Sequence, residues 1–120
     1  MEFKVSEEAG RKLIEEMRLE KGDRIKIFTK IYGGIPTVFP SYYLGIMLDN
    51  DETAGVEEVI DGVSFYLMPT DMWLIDDYDL HVVLVDGEVE YKFTKPGEVD
   101  AVSGASKNKR ISLRDQANLF

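Results

Sequence analysis

The residues best able to do chemistry in this 120-residue chain are acidic. Its one histidine, His81, follows closely on Asp76, Asp77 and Asp79, so imidazole and carboxylate donors for a hard divalent cation fall in one short segment. These four residues are the candidate metal ligands. Their spacing matches no established ligand pattern, and a polar-face strand histidine beside a solvated acidic turn accounts for them more simply. A second acidic group, Asp49-Asn50-Asp51-Glu52 with Glu57 and Glu58, offers oxygen donors. It lacks the glycine and glutamate order of a calcium loop and reads as a charged, solvating turn. Gly33-Gly34 is not followed by the lysine or the third glycine of a phosphate cradle, so it reads as a tight turn. The chain has no cysteine, which excludes disulfides, thiol nucleophiles and thiolate metal ligands. Without a second histidine or a Gly-x-Ser-x-Gly elbow, nucleophilic catalysis has little to work with, and the reading is of a protein that is not an enzyme and needs no cofactor.

Apolar recognition is a stronger theme. Tyr32, Val38, Phe39, Tyr42, Tyr43, Met72, Trp73 and Tyr78 come from the two longest irregular segments of the body. Exposed together they would mark an interface, because monomers seldom leave a large apolar patch wet. The candidate contact residues are Gly33, Gly34, Val38, Phe39, Tyr42, Tyr43 and Trp73. Core and loop packing competes with this reading, more for Trp73 and Tyr42 than for Phe39.

These residues must be positioned by strands. Phe3 to Val5 reads as a first strand, and Ser6 stands where a helix cap belongs, with Glu7 and Glu8 at the positive end of the dipole. The helix runs to about Arg18 with Ala9, Leu13, Ile14 and Met17 on its packing face. Lys21-Gly22-Asp23 is a turn. Arg24 to Ile31 alternates as a half-buried strand, Gly33 to Pro40 reads as an ordered loop, and Ser41 to Leu48 resumes the alternation. Val56 to Ile60 and Val63 to Met68 flank Asp61-Gly62, a dipeptide that tolerates the positive φ angles of a tight hairpin. Pro69 to Leu74 reads as one helical turn capped by Thr70 or Asp71, and Leu80 to Val85 pairs with Glu88 to Thr94 across Asp86-Gly87. One helix followed by closely spaced strands predicts an α+β fold, mostly β, compact and twisted, with one N-terminal helix and two hairpins.

The length suits one domain, expected over residues 1–95, with residues 96–120 a flexible tail that turns weakly helical from Ser112 to Phe120. The formal charge is −9, and residues 1–95 hold ten Lys/Arg against twenty Asp/Glu, so nucleic acid and anionic lipid are repelled. No apolar run approaches the roughly 18 residues of a membrane helix. A cytoplasmic protein is expected, one that meets a protein partner or associates with itself, for example as a homodimer.

Taken in order, Ser-Glu-Glu-Ala at the helix start, the basic alternating strand, Gly33-Gly34, Ser41-Tyr42-Tyr43-Leu44, Ile60-Asp61-Gly62-Val63, Pro69 and Leu80 resemble the HesB/IscA family from about Phe3 to Thr94. That resemblance implies the HesB-like β fold, often dimeric, and kinship with carriers or scaffolds of iron or iron–sulfur clusters. Those members hold clusters through a cysteine after the glycine-rich loop and a Cys-Gly-Cys near the C-terminus. Here Gly34 to Pro36 and Ser103-Gly104-Ala105 stand in those regions, so the resemblance points to a cysteine-free, uncharacterised branch found in Bacillus- and Lactobacillus-type bacteria, acting as an interaction domain. The alternative is binding of iron or another divalent cation through oxygen and histidine ligands.

Overall fold

The computed structural model describes residues 2–96. It is α+β and mostly β, as the sequence predicts, with a strand, one α-helix and seven further strands broken by a 3-10 helix. Strand β1 (Phe3–Val5) leads into helix α1 (Glu7–Met17), whose start is fixed by Ser6 accepting a hydrogen bond from Ala9 N–H at 3.1 Å. Ala9 and Leu13 are buried and Ile14 and Met17 pack beside them, which is the expected face. Arg18 ends the helix in the left-handed region (φ 55°), its N–H turned back to the Glu15 carbonyl.

Two mixed sheets enclose the core. The larger is ordered β3 (Ile35–Pro36), β4 (Tyr43–Leu48), β2 (Arg24–Lys30), β6 (Val63–Leu67), β5 (Val56–Ile60), and the smaller is β1, β7 (Asp79–Val85), β8 (Glu88–Thr94). Each contains one parallel pair, β2 with β6 and β1 with β7. The other pairs are antiparallel, including the two hairpins, whose turns place Asp61 and Gly62 at φ 49° and 81° and Asp86 and Gly87 at 51° and 80°. Ile25, Ile27, Leu44, Phe65, Leu67, Leu74, Leu80 and Val82 are fully buried between the sheets and helix α1.

The structure departs from the sequence reading in detail. The loop after Gly34 contains a two-residue strand, β3, that pairs with Tyr43 and Leu44. Gly34 makes this possible: its φ is 139°, and a Cβ there would lie 2.6 Å from the Leu44 carbonyl oxygen. The 3-10 helix (Pro69–Ile75) has Met68 at its N-cap and no side-chain cap, so neither Thr70 nor Asp71 takes that role; the Asp71 carboxylate is used elsewhere. The expected tail lies outside the described residues.

Candidate functional site: an aromatic end of the β2–β4 hairpin

Where β2 and β4 part, at the pair Lys30 and Tyr43, the chain opens into the 31–42 loop. Thr37 closes the neck of that loop: its Oγ1 accepts from Phe39 N–H at 3.0 Å and donates to the Tyr42 carbonyl at 2.8 Å. This turns Phe39 inward. Its ring meets Trp73 at 5.0 Å, Tyr78 at 5.6 Å and Phe93 at 5.6 Å, each edge to face, the preferred geometry of aromatic quadrupoles. Tyr42 adds a fourth edge contact, to Trp73 at 5.1 Å.

The 3-10 helix that carries Trp73 is anchored from below. Asp71 is buried, and its Oδ1 accepts a 2.7 Å hydrogen bond from Thr29 Oγ1 on β2. A buried carboxylate needs such a donor, and this one ties the helix to the strand from which the aromatic loop departs. From this loop four apolar side chains face solvent: Tyr32 is 89% exposed, Ile31 59%, Val38 47% and Tyr42 41%. Gly33 and Gly34 are exposed beside them, and Tyr43 and Trp73 are half-buried.

The structure therefore brings Phe39, Tyr42 and Trp73 into direct contact and sets Val38, Gly33 and Gly34 in the same loop. Trp73 packs against the core as expected, but Phe39 and Tyr42 exchange the expected roles. Phe39 is the hub packed on the core, because Thr37 folds it under the loop, and Tyr42 is the exposed ring. Sequence reasoning missed Ile31, read as the last residue of a strand that in fact ends at Lys30, and Phe93, which belongs to a hairpin that looked remote. It also missed the partnership of Asp71 with Thr29.

The four acidic and imidazole candidates are arranged differently. Asp79 Oδ1 accepts from Glu2 N–H at 2.8 Å, and Asp76 and Asp77 are exposed in the bend before β7. His81 is half-buried, on the strand face opposite Leu80 and Val82, with Lys4 and Lys92 beside it in the ladder. Two flanking ammonium groups disfavour a divalent cation there. Among the described residues no three His, Asp or Glu side chains converge on one point.

The opposite end of the hairpin is polar and closed. Lys26 Nζ lies 3.0 Å from Asp49 Oδ2, with both side chains largely covered. The hydrogen bond from Lys26, helped by the Asp51 N–H, holds the Asp49 carboxyl below its ordinary range, and the same bond raises Lys26. Tyr66 donates to the Asp49 carbonyl at 2.7 Å, and the Arg24 guanidinium sits 4.3 Å over the Tyr66 ring while donating to the Asn50 and Glu52 carbonyls. The acidic turn is thus a structural clasp.

The whole is a small α+β module with exposed apolar side chains at one end of the β2–β4 hairpin. The chain belongs to the family of the pyruvate dehydrogenase inhibitor of Bacillus subtilis (strain 168), with which it is 35% identical over 82 residues, covering 68% of this chain and 85% of that protein. It is also 28% identical, over 95 residues, to an uncharacterised protein of Staphylococcus saprophyticus, covering 76% of this chain and 97% of the relative. A solution structure of a protein from Aquifex aeolicus overlaps 78% of this chain and 91% of its own at a TM-score of 0.42 and 18% identity. No family model matches the chain.

These findings overturn the HesB/IscA resemblance, and with it the link to iron–sulfur assembly and the alternative of iron or other divalent cation binding: the family relation runs to a protein named as an enzyme inhibitor. The reason lies in the motifs that carried the resemblance. Gly-Gly and Asp-Gly turns between alternating segments are favoured in any short-looped, hairpin-rich chain, so their order reports β grammar more than descent. The named relative acts on an enzyme, in keeping with a regulatory more than a catalytic protein that meets a protein partner. No described helix is long and apolar enough to cross a membrane.

Proposed function

We propose that this chain is a regulatory protein that binds pyruvate dehydrogenase in the cytoplasm and restrains it by occupying its surface, performing no chemistry of its own. The domain up to about Lys95 carries this role, and the contact face is the aromatic end: Val38, Tyr42 and Trp73, with Gly33, Gly34, Phe39 and Tyr43 shaping it and Ile31 and Tyr32 extending it. The observation that carries the reading is that the 31–42 loop exposes four apolar side chains beside edge-to-face rings, one of them, Tyr42, packed on Trp73, with the Thr29–Asp71 hydrogen bond beneath. A preordered apolar surface loses little conformational entropy on binding, and rigid aromatic rings are the side chains that most often dominate protein interfaces. What supports pyruvate dehydrogenase as the partner is the relation to the Bacillus subtilis protein named as its inhibitor.

The test is a titration of purified Bacillus subtilis pyruvate dehydrogenase with the full chain, following pyruvate oxidation. Wild type should slow turnover. The double variant Val38→Asp, Tyr42→Ala should need at least about 30-fold more protein for the same effect, the loss of about 2 kcal/mol expected from a single interface hot spot. Equal potency of the two proteins would refute the assigned face, and failure of the wild type to bind or inhibit would refute the partner.

A further inference from the structure

An edge strand normally carries charge, proline or a bulge that discourages pairing with another chain. Ser41 to Leu48 carries no charged residue, in a protein of which 31% is charged. Strand β4 lies within this segment, and β3 covers only its first two residues, Tyr43 and Leu44. Among the described residues no strand lies against Gly45 to Leu48 on the side away from β2. Met47 and Leu48 are 42% and 48% exposed there.

The direction of the backbone groups follows from the ladder. Asp49 N–H donates to the Arg24 carbonyl at 2.9 Å, so Asp49 points its amide at β2. Alternation along an antiparallel pair then turns the amides and carbonyls of Met47 toward β2 and those of Ile46 and Leu48 outward. The outward groups of Leu44 are those met by β3.

We propose that this edge pairs with the same edge of a second copy of the chain, antiparallel, about a two-fold axis through Met47. In that register Ile46 of each copy exchanges hydrogen bonds with Leu48 of the other, and the two Met47 side chains face each other as a non-hydrogen-bonded pair. Other symmetric registers either press β4 onto the partner's β3 or make one such pair instead of two. The occupant is a second copy because a two-fold axis sets each residue against its own kind or a near neighbour, which a charged edge cannot bear and this one can. Asp49, the nearest charge in the chain, is already paired with Lys26 and comes opposite Gly45, which has no side chain. The pairing joins two five-stranded sheets into one and leaves both aromatic ends free.

The absence of native cysteine makes the test direct. Met47→Cys places one thiol on the axis, where facing residues of a non-hydrogen-bonded pair have Cα atoms about 4.5 Å apart, within the span of a disulfide. Mild oxidation should convert most of this variant to a covalent dimer, whereas Val59→Cys, at a more exposed position on β5, should give at least tenfold less. Light scattering should give the unmodified full chain twice its 13.7 kDa mass, and Leu48→Lys should return it to one chain with an unchanged far-ultraviolet circular dichroism spectrum. A wild-type protein that stays monomeric at the highest attainable concentration would overturn the proposal. So would a dimer that Met47→Cys does not capture, or one that Leu48→Lys leaves intact.

Discussion

The two ends of the β2–β4 hairpin are built from different chemistry. At the Arg24 and Asp49 end, polar groups are matched to one another: lysine to carboxylate, tyrosine hydroxyl to carbonyl, guanidinium to two carbonyls and a ring. At the Lys30 and Tyr43 end the matched polar pair, Thr29 with the buried Asp71, lies beneath the loop, and Ile31, Tyr32, Val38 and Tyr42 face water beside Lys30 and Ser41. The first end closes the fold. The second leaves apolar side chains in solvent beside packed rings, an arrangement that stability alone does not require and that the proposed contact with a partner would use.

Variants that attack one end at a time break this comparison. The largest effect is expected from Leu44→Ala, which empties a fully buried position under the aromatic end and should cost about 2–5 kcal/mol in denaturant unfolding. Thr29→Val keeps the shape but leaves the buried Asp71 carboxylate without its hydroxyl donor. It should cost about 1–3 kcal/mol and also loosen Trp73, seen as a red shift of its fluorescence. At the other end the effect is one of pH. The Asp49 carboxyl is held low in the folded state, so the stability it contributes is complete above its unfolded value near about 3.9 and is lost as pH falls through the depressed folded value. Asp49→Asn should therefore lower stability at neutral pH and flatten its decline in acid, measured by urea unfolding at several pH values. Smallest is Tyr42→Ala, expected to move stability by no more than about 1 kcal/mol, because the ring is already 41% exposed.

Much of the fold could be read from local patterns. Period-two alternation located β2, β4 and both hairpins, and the Asp-Gly turns adopt the positive φ angles that made them recognisable. The helix, too, was visible in its serine cap and apolar stripe. What stayed hidden depends on residues far apart in the chain. The parallel pairing of β1 with β7 joins Phe3 to Leu80, and nothing in either segment names its partner. Asp71 looked like a helix cap because a carboxylate near a helix start usually is one; its hydroxyl donor lies 42 positions away. The aromatic residues were identifiable as a group, but their ranking depended on Thr37 folding Phe39 under the loop, a contact that composition does not encode. The family was the least legible feature, since turn motifs shared by many β-rich chains suggested the wrong one.

The claim that the aromatic end meets the partner is tested most directly by amide hydrogen exchange on the full chain, free and mixed with purified Bacillus subtilis pyruvate dehydrogenase. Exchange should slow in peptides covering residues 31–43 and 69–78, with no change in residues 49–60 at the closed end. Protection confined to residues 49–60, or no protection anywhere, would contradict it.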